Sequence, residues 1–248
     1  MKIFNSKLLA SHKNIIHAFT TRLDGMSTHG NNLAYHVNDS SYNVDKNHNK
    51  LAKYLQYPIN RLVHMNQIHG DKITSINNDH DFKEVPTCDA LITQEKELPL
   101  MVMVADCNPI LIYDPIREVI AVVHAGRAGI FSNIISKTIK KMQEIYECVP
   151  KDILVSIGPS IHQCCYEVGN EIKEETNKLG YDYAIMTDEK KYFLDLISIA
   201  KRQLQDTGIE TKNIEISKHC TACNTDIFFS YRAENNNCGR FAGVIMLK

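Results

Sequence analysis

Three hydrophobic regimes succeed one another along the chain. Ile15–Arg22 carries apolar and β-branched residues up to the turn formers Asp24-Gly25, which predicts a strand. Gly30 to Ser41 is rich in Asn and His and predicts a loop. Val44–Tyr54 then has helical spacing, with Val44, Leu51 and Leu55 apolar and Pro58 as the stop. The middle of the chain changes character: Arg61–Gln67, Lys72–Asn77, Ala90–Thr93, Leu100–Ala105, Ile110–Tyr113 and Val119–His124 are short, apolar and separated by turn residues. Leu100-Met101-Val102-Met103-Val104 and Ile120-Ala121-Val122-Val123 are apolar at every position, the mark of strands covered on both faces.

Gly126 to Gly129 opens a predicted helix over Phe131–Tyr146, and Ile153–Ile157 reads as another buried strand ending at Gly158-Pro159. Glu167–Leu179 and Phe193–Thr207 predict helices, and Ile214–Ser217, Ile227–Tyr231 and Ala242–Leu247 predict the closing strands. Strands that cluster, with helices flanking them and no regular β-α alternation, predict an α+β fold. No linker or repeat interrupts the pattern, so residues 1–248 are expected to form one domain.

Composition narrows the function. With 248 residues, 44% of them apolar, the chain needs no covalent staples to fold. Its formal net charge of -1 and lack of a basic block argue against a nucleic-acid partner. Met1–Lys7 has no signal-type apolar segment, and the long apolar run from Leu98 to Tyr113 is broken by Asp106 and Asn108-Pro109, so no membrane span is expected. A cytoplasmic location follows as an expectation, and there the eight cysteines read as core residues, metal ligands or nucleophiles rather than disulfides.

Three residues share one context. His69 follows a predicted strand, Cys107 lies between two buried ones, and His124 ends a third. If those strands are neighbours, two imidazoles and a thiolate can converge on Zn²⁺ and leave a position open, although a Cys at the end of a buried strand is usually a small buried hydrophobe. A lone His₂Cys set also suits a single copper ion, although no His-x-His pair is present for a laccase-type cluster. Cys220-Thr221-Ala222-Cys223 with Cys164-Cys165 is a competing constellation, but adjacent cysteines are expected to splay apart, so those thiols are assigned to packing. The usual nucleotide-loop, serine-elbow, HExxH and zinc-deaminase patterns are missing. Arg22, Arg127, Arg232 and Arg240 are the candidate cations for an anionic substrate.

The ordered motifs together resemble a known family. They are Phe19-Thr20-Thr21-Arg22, Asn32-Leu33-Ala34-Tyr35-His36-Val37, Asn66-Gln67-Ile68-His69-Gly70 and Cys88-Asp89-Ala90-Leu91-Ile92-Thr93. Ala105-Asp106-Cys107-Asn108-Pro109, His124-Ala125-Gly126, Gly158-Pro159-Ser160-Ile161, Cys165-Tyr166-Glu167-Val168-Gly169, Phe229-Ser230-Tyr231-Arg232 and Gly239-Arg240 follow in order. This series is similar to the YfiH family of laccase-domain proteins, once labelled polyphenol oxidases. The resemblance implies an α+β domain with stacked mixed sheets between helices. It also implies a zinc-dependent purine nucleoside phosphorylase with adenosine deaminase activity, acting on adenosine, inosine, guanosine or methylthioadenosine with phosphate. It carries over His69, Cys107 and His124 as zinc ligands. Asp106 is then a candidate for an acid/base role beside the metal, and Arg22, Arg127 and Arg232 are candidates for substrate binding. The chain departs from the family's His-Ala-Gly-Trp-Arg-Gly, since Arg127 and Ala128 stand in the Trp and Arg places, and Ala233 follows Arg232 where a second Arg is usual. Three other readings stay open: a metal-independent Cys-His hydrolase using Cys107 and His124, a copper-binding polyphenol oxidoreductase, and a non-catalytic protein stapled by zinc.

Overall fold

A computed structural model describes residues 1–27 and 29–248. The strands in chain order are β1 (Ile3–Phe4), β2 (Ile15–Thr20), β3 (Ile73–Ser75), β4 (Ala90–Thr93), β5 (Leu100–Val104), β6 (Asn108–Asp114) and β7 (Val119–Ala125). They continue with β8 (Leu154–Ile157), β9 (Glu167–Val168), β10 (Ile185–Asp188), β11 (Lys191–Leu194), β12 (Ile214–Ile216) and β13 (Phe241–Leu247). The helices are α1 (Lys7–Ala10), α2 (Ser41–Leu55), α3 (Arg127–Phe131), α4 (Ile134–Tyr146), α5 (Asn170–Lys178) and α6 (Leu196–Asp206). None of the described helices is long and apolar enough to cross a membrane.

An antiparallel sheet in the order β1-β2-β13-β5 packs against a mixed sheet in the order β12-β8-β6-β7-β4-β3. The alternation of side chains sets the layers. Leu100, Val102 and Val104 of β5, with Phe241 and Ile245 of β13, meet Leu111, Ile120 and Val122 of the larger sheet. On the opposite pleat, Met101 and Met103 pack with Val244 and Met246 against Leu51 and Leu55 of α2. The far face of the larger sheet, through Ile92, Ile110, Ile112 and Val123, is covered by Ile135 and Ile139 of α4 and Ile199 and Leu204 of α6. Each sheet is therefore buried on both faces, which is why β5 and β7 are apolar throughout. The α+β fold expected from the pattern is the fold observed.

Several boundaries differ, each for a local reason. Arg61–Gln67 is not a strand: a 3₁₀ turn at Ile59–Arg61 is followed by isolated bridges from Val63 to Leu100 and from Asn66 to Thr87. The helix expected over Phe131–Tyr146 is two helices, parted where Asn133 takes a left-handed backbone with φ 61°. Glu167-Val168 and Phe193 belong to a small sheet in the order β10-β11-β9, so the helices expected there start late. The side chain of Asp195 accepts from the Ser198 N–H and begins α6. Ile227–Tyr231 forms turns instead of a closing strand: Phe228 and Phe229 fill the core while the Asn224 carbonyl takes the Ile227 and Phe228 N–H groups.

Candidate metal centre

The chain crosses from the smaller sheet to the larger between β5 and β6, and only Ala105, Asp106 and Cys107 make the crossing. So short a bridge forces an unusual backbone, and Asp106 takes φ 88°. Its carboxylate ties down the surroundings: Oδ1 accepts from Thr221 Oγ1 at 2.6 Å and Oδ2 from the Arg232 N–H at 2.7 Å, while its carbonyl accepts from the Ile161 N–H at 2.9 Å. With one neutral donor on each oxygen, Asp106 braces the loops around Cys107.

The larger sheet supplies the rest. β6 and β7 pair so that Pro109 faces His124, setting the imidazole beside the start of β6 and hence beside Cys107. On the other side of β7, the His124 N–H donates to the Asp89 carbonyl just before β4. His69 arrives on the loop before β3 with φ 57°. The ligand atoms of His69, Cys107 and His124 all lie within 4.8 Å of one another. The two imidazoles meet edge to face with centroids 4.7 Å apart. Gly126 makes this convergence possible, because a Cβ there would lie 2.9 Å from Cys107 Sγ and 3.4 Å from the His69 ring.

Asp89 holds the set together, and the sequence reading assigned it no role. It is fully buried; Oδ1 pairs with His124 Nδ1 at 2.8 Å and accepts from the His69 N–H at 3.0 Å, and Oδ2 accepts from the Gly70 N–H at 2.7 Å. A carboxylate beside Nδ1 requires that nitrogen to carry the proton, which leaves Nε2 for the site. Burial pushes the Asp89 carboxyl up, but the His124 hydrogen bond and the Gly70 N–H hold it below the ordinary carboxylate range. Burial likewise opposes a Cys107 thiolate, yet the facing imidazoles of His124 and then His69 outweigh it and pull the thiol down to about 6. For His124, burial disfavours the imidazolium, while Cys107 and Asp89 hold it up to about 9. The trace of Asp89 in the sequence is slight: a lone acid directly before the strand predicted at Ala90–Thr93.

Two nitrogens and one polarised sulfur on a braced frame fit a borderline-soft divalent metal. They form the floor of a cavity of about 590 Å³ whose wall includes His36, Tyr166, Tyr231, Arg232 and Arg240. Arg232 stacks over Tyr166 at 5.1 Å, and Arg240 over Tyr231 at 5.6 Å.

Two of the expected cations are elsewhere. Arg22 does not line this cavity: it donates to the Thr225 carbonyl at 2.7 Å, pairs with Glu234 at 2.9 Å and lies over Phe229 at 4.7 Å. Arg127 is also outside the wall, paired with Glu175 at 2.9 Å. Its charge still reaches Tyr166, whose phenol is pushed up by burial with the Arg127 and Arg232 charges opposing. The four thiols assigned to packing are a correction: Cys164, Cys165, Cys220 and Cys223 are gathered with all four sulfurs within 4.8 Å of one another.

Known proteins share this arrangement of elements. The solved structure of YlmD from Geobacillus stearothermophilus matches with a TM-score of 0.90 at 28% identity, over 98% of this chain and 94% of that one. A Bacillus licheniformis protein described as hypothetical protein YfiH matches with a TM-score of 0.89 at 31% identity, over 94% and 93%. Among sequences, "Purine nucleoside phosphorylase YlmD" of Geobacillus stearothermophilus is 31% identical over 225 residues, 86% of this chain and 82% of the relative. A Bacteroides thetaiotaomicron "Purine nucleoside phosphorylase" is 31% identical over 254 residues, 96% and 94% of the two chains. The model of a family described as multi-copper polyphenol oxidoreductase laccase matches residues 16–248. Sheet order, strand-end donors and sequence thus lead to one place, and the chain belongs to this laccase-like YfiH family.

Proposed function

We propose that this chain is a metal-dependent purine nucleoside phosphorylase, with His69, Cys107 and His124 holding one zinc ion. The observation that carries the reading is the convergence of these three donors, braced by Asp89, on the floor of a cavity with two arginines in its wall. Relatives named purine nucleoside phosphorylase over nearly the whole chain support the same reaction class. Bound zinc would supply a fixed positive charge at the cavity floor.

The chain's own residues do the remainder. Tyr166 and Tyr231 offer flat faces to a purine. Arg232 and Arg240 carry charge for inorganic phosphate, each guanidinium keeping donors beyond those given to the Glu167, Cys238 and Gly239 carbonyls. A phosphate oxygen bonds to the ribose C1′ while the C1′–N9 bond breaks and its electron pair leaves with the purine. Charge develops on all three groups, so positioning and electrostatic stabilisation carry the catalysis. Adenosine, inosine, guanosine and methylthioadenosine present the same C1′–N9 bond to such a site. Adenosine deamination would require a second pose, with the base rather than the ribose over the floor.

A second reading has a specific observation behind it: Cys107, His124 and Asp89 are ordered as nucleophile, base and orienting acid, which suits a thiol hydrolase. Metal analysis with nucleoside turnover separates the two. The phosphorylase reading expects free base from inosine only when phosphate is present, and expects Cys107→Ala and chelated wild type to lose the zinc of this three-donor site and nearly all turnover. Ammonia release from adenosine should be independent of phosphate. Full activity in metal-free protein would transfer the site to the hydrolase.

A further inference from the structure

Away from the cavity floor, two surface turns bring four thiols together. Cys164 and Cys165 lie on the turn after Ser160-Ile161, and Cys220 and Cys223 on the turn after β12. Sγ of Cys164 lies 3.7 Å from both Cys165 and Cys223, and Cys165 lies 3.2 Å from Cys223. A disulfide would need a separation of about 2.05 Å. Four sulfurs around a tetrahedral zinc with bonds of about 2.3 Å stand about 3.8 Å apart, close to the separations found.

The adjacent pair can face one point because the turn is helix-like. The Cys165 and Tyr166 N–H groups both donate to the His162 carbonyl. Successive side chains there diverge by about 100°, not by the 180° of a strand. Cys220 is buried, and its sulfur also accepts from the His162 N–H at 3.4 Å, as a thiolate ligand does.

We propose that Cys164, Cys165, Cys220 and Cys223 form a second, closed zinc site that clamps the 160–166 segment to the 217–223 segment. Four protein ligands leave no position for substrate, so the ion is structural. The clamp has something to hold. The Thr221 N–H donates to the Ser160 carbonyl at 2.9 Å, and Ile161 and Tyr166 form part of the cavity wall. Thr221 Oγ1 reaches Asp106, next to the proposed ligand Cys107. Only a few hydrogen bonds join these two turns; a four-thiolate ion ties them covalently.

The test is zinc content and thiol count on full-length protein purified under reducing conditions, for wild type, Cys107→Ala, Cys164→Ser and Cys223→Ser. The exposed positions 164 and 223 are chosen because a serine there disturbs the core least. Wild type should hold about two zinc ions, and each variant about one. Cobalt(II) loaded into Cys107→Ala should give the intense thiolate charge-transfer absorption of a four-sulfur site, and the double variant Cys107→Ala/Cys223→Ser should lose it. Added zinc should raise the melting temperature of Cys107→Ala and leave that of the double variant unchanged. Cys107→Ala free of metal, with all of its thiols freely titrating, overturns the clamp. So does a mass lower by two hydrogens that reductant restores, which would make the cluster a disulfide pair. Failure of the catalytic reading looks different: turnover that persists with no metal at His69, Cys107 and His124 while zinc is still retained by the four thiols.

Discussion

The floor of the cavity and its rim are built by different rules. His124 and Cys107 sit at the joined ends of β7 and β6, and His69 is held through its N–H by the buried carboxylate of Asp89. Strand register and one fully buried acid place those donors, so each has little freedom. The rim is made of long side chains on loops, where a guanidinium goes to whichever acid or carbonyl is nearest. Arg232 and Arg240 remain at the cavity, while Arg22 is captured by Glu234 and Arg127 by Glu175. Donors placed by strand register, such as Cys107 and His124, leave a mark in the sequence, whereas the positions of the arginines depend on partners that no local pattern reveals.

The largest expected effect strikes the floor through Asp89. Asp89→Asn keeps the shape but removes the charge opposite His124 and the preference for a protonated Nδ1. Loss of such an orienting partner costs about tenfold to a hundredfold in metal affinity. Competition with a zinc chelator should show that loss at the His69, Cys107, His124 site and none at the four thiols. Unchanged affinity would mean that the backbone alone orients the imidazole.

The next effect separates the two groups of arginines. Arg232→Ala removes a cavity cation and should raise the phosphate KM by roughly ten- to a hundredfold, the size of a lost charge-assisted contact. Arg22→Ala should act on stability. It removes bonds to the Thr225 carbonyl and Glu234 and the stacking over Phe229, a loss of about 2–3 kcal/mol. Denaturant unfolding should report that loss while the phosphate KM moves far less than in Arg232→Ala. The reverse pattern would place phosphate near Arg22.

The same division governs how much was legible from sequence. Fully apolar runs marked β5 and β7 because those strands are buried on both faces, and Cys107 and His124 stood at strand ends, whereas His69 lies on a loop after a segment that forms no strand. Asp89 escaped because its partners, His124 and the His69 and Gly70 N–H groups, come from other parts of the chain. The helices expected over Glu167–Leu179 and Phe193–Thr207 absorbed strand residues, since a pairing such as Phe193 with Glu167 leaves no local trace. The cysteine quartet was hidden by the assumption that adjacent residues diverge as in a strand, whereas a turn hydrogen-bonded to the His162 carbonyl brings them round.

The smallest effect sharpens the comparison most, because the sequence reading assigned Arg127 to the anion. Arg127 is the first residue of α3, where backbone N–H groups favour negative charge, and it stands one place before the family's usual Arg. Glu175 competes for it at 2.9 Å, with the two side chains 32% and 49% exposed. A solvent-screened pair of this kind is worth only about 0–1 kcal/mol, so Arg127→Ala should leave the fold nearly as stable. Phosphate would have to draw Arg127 from Glu175 to a cavity that it does not line. We therefore expect Arg127→Ala to change the phosphate KM by less than about threefold, within the weak influence of a screened charge. Phosphate titration of both proteins decides the point: a tenfold rise would show that the guanidinium leaves Glu175 for the anion, and that the rim is assembled only when substrate arrives.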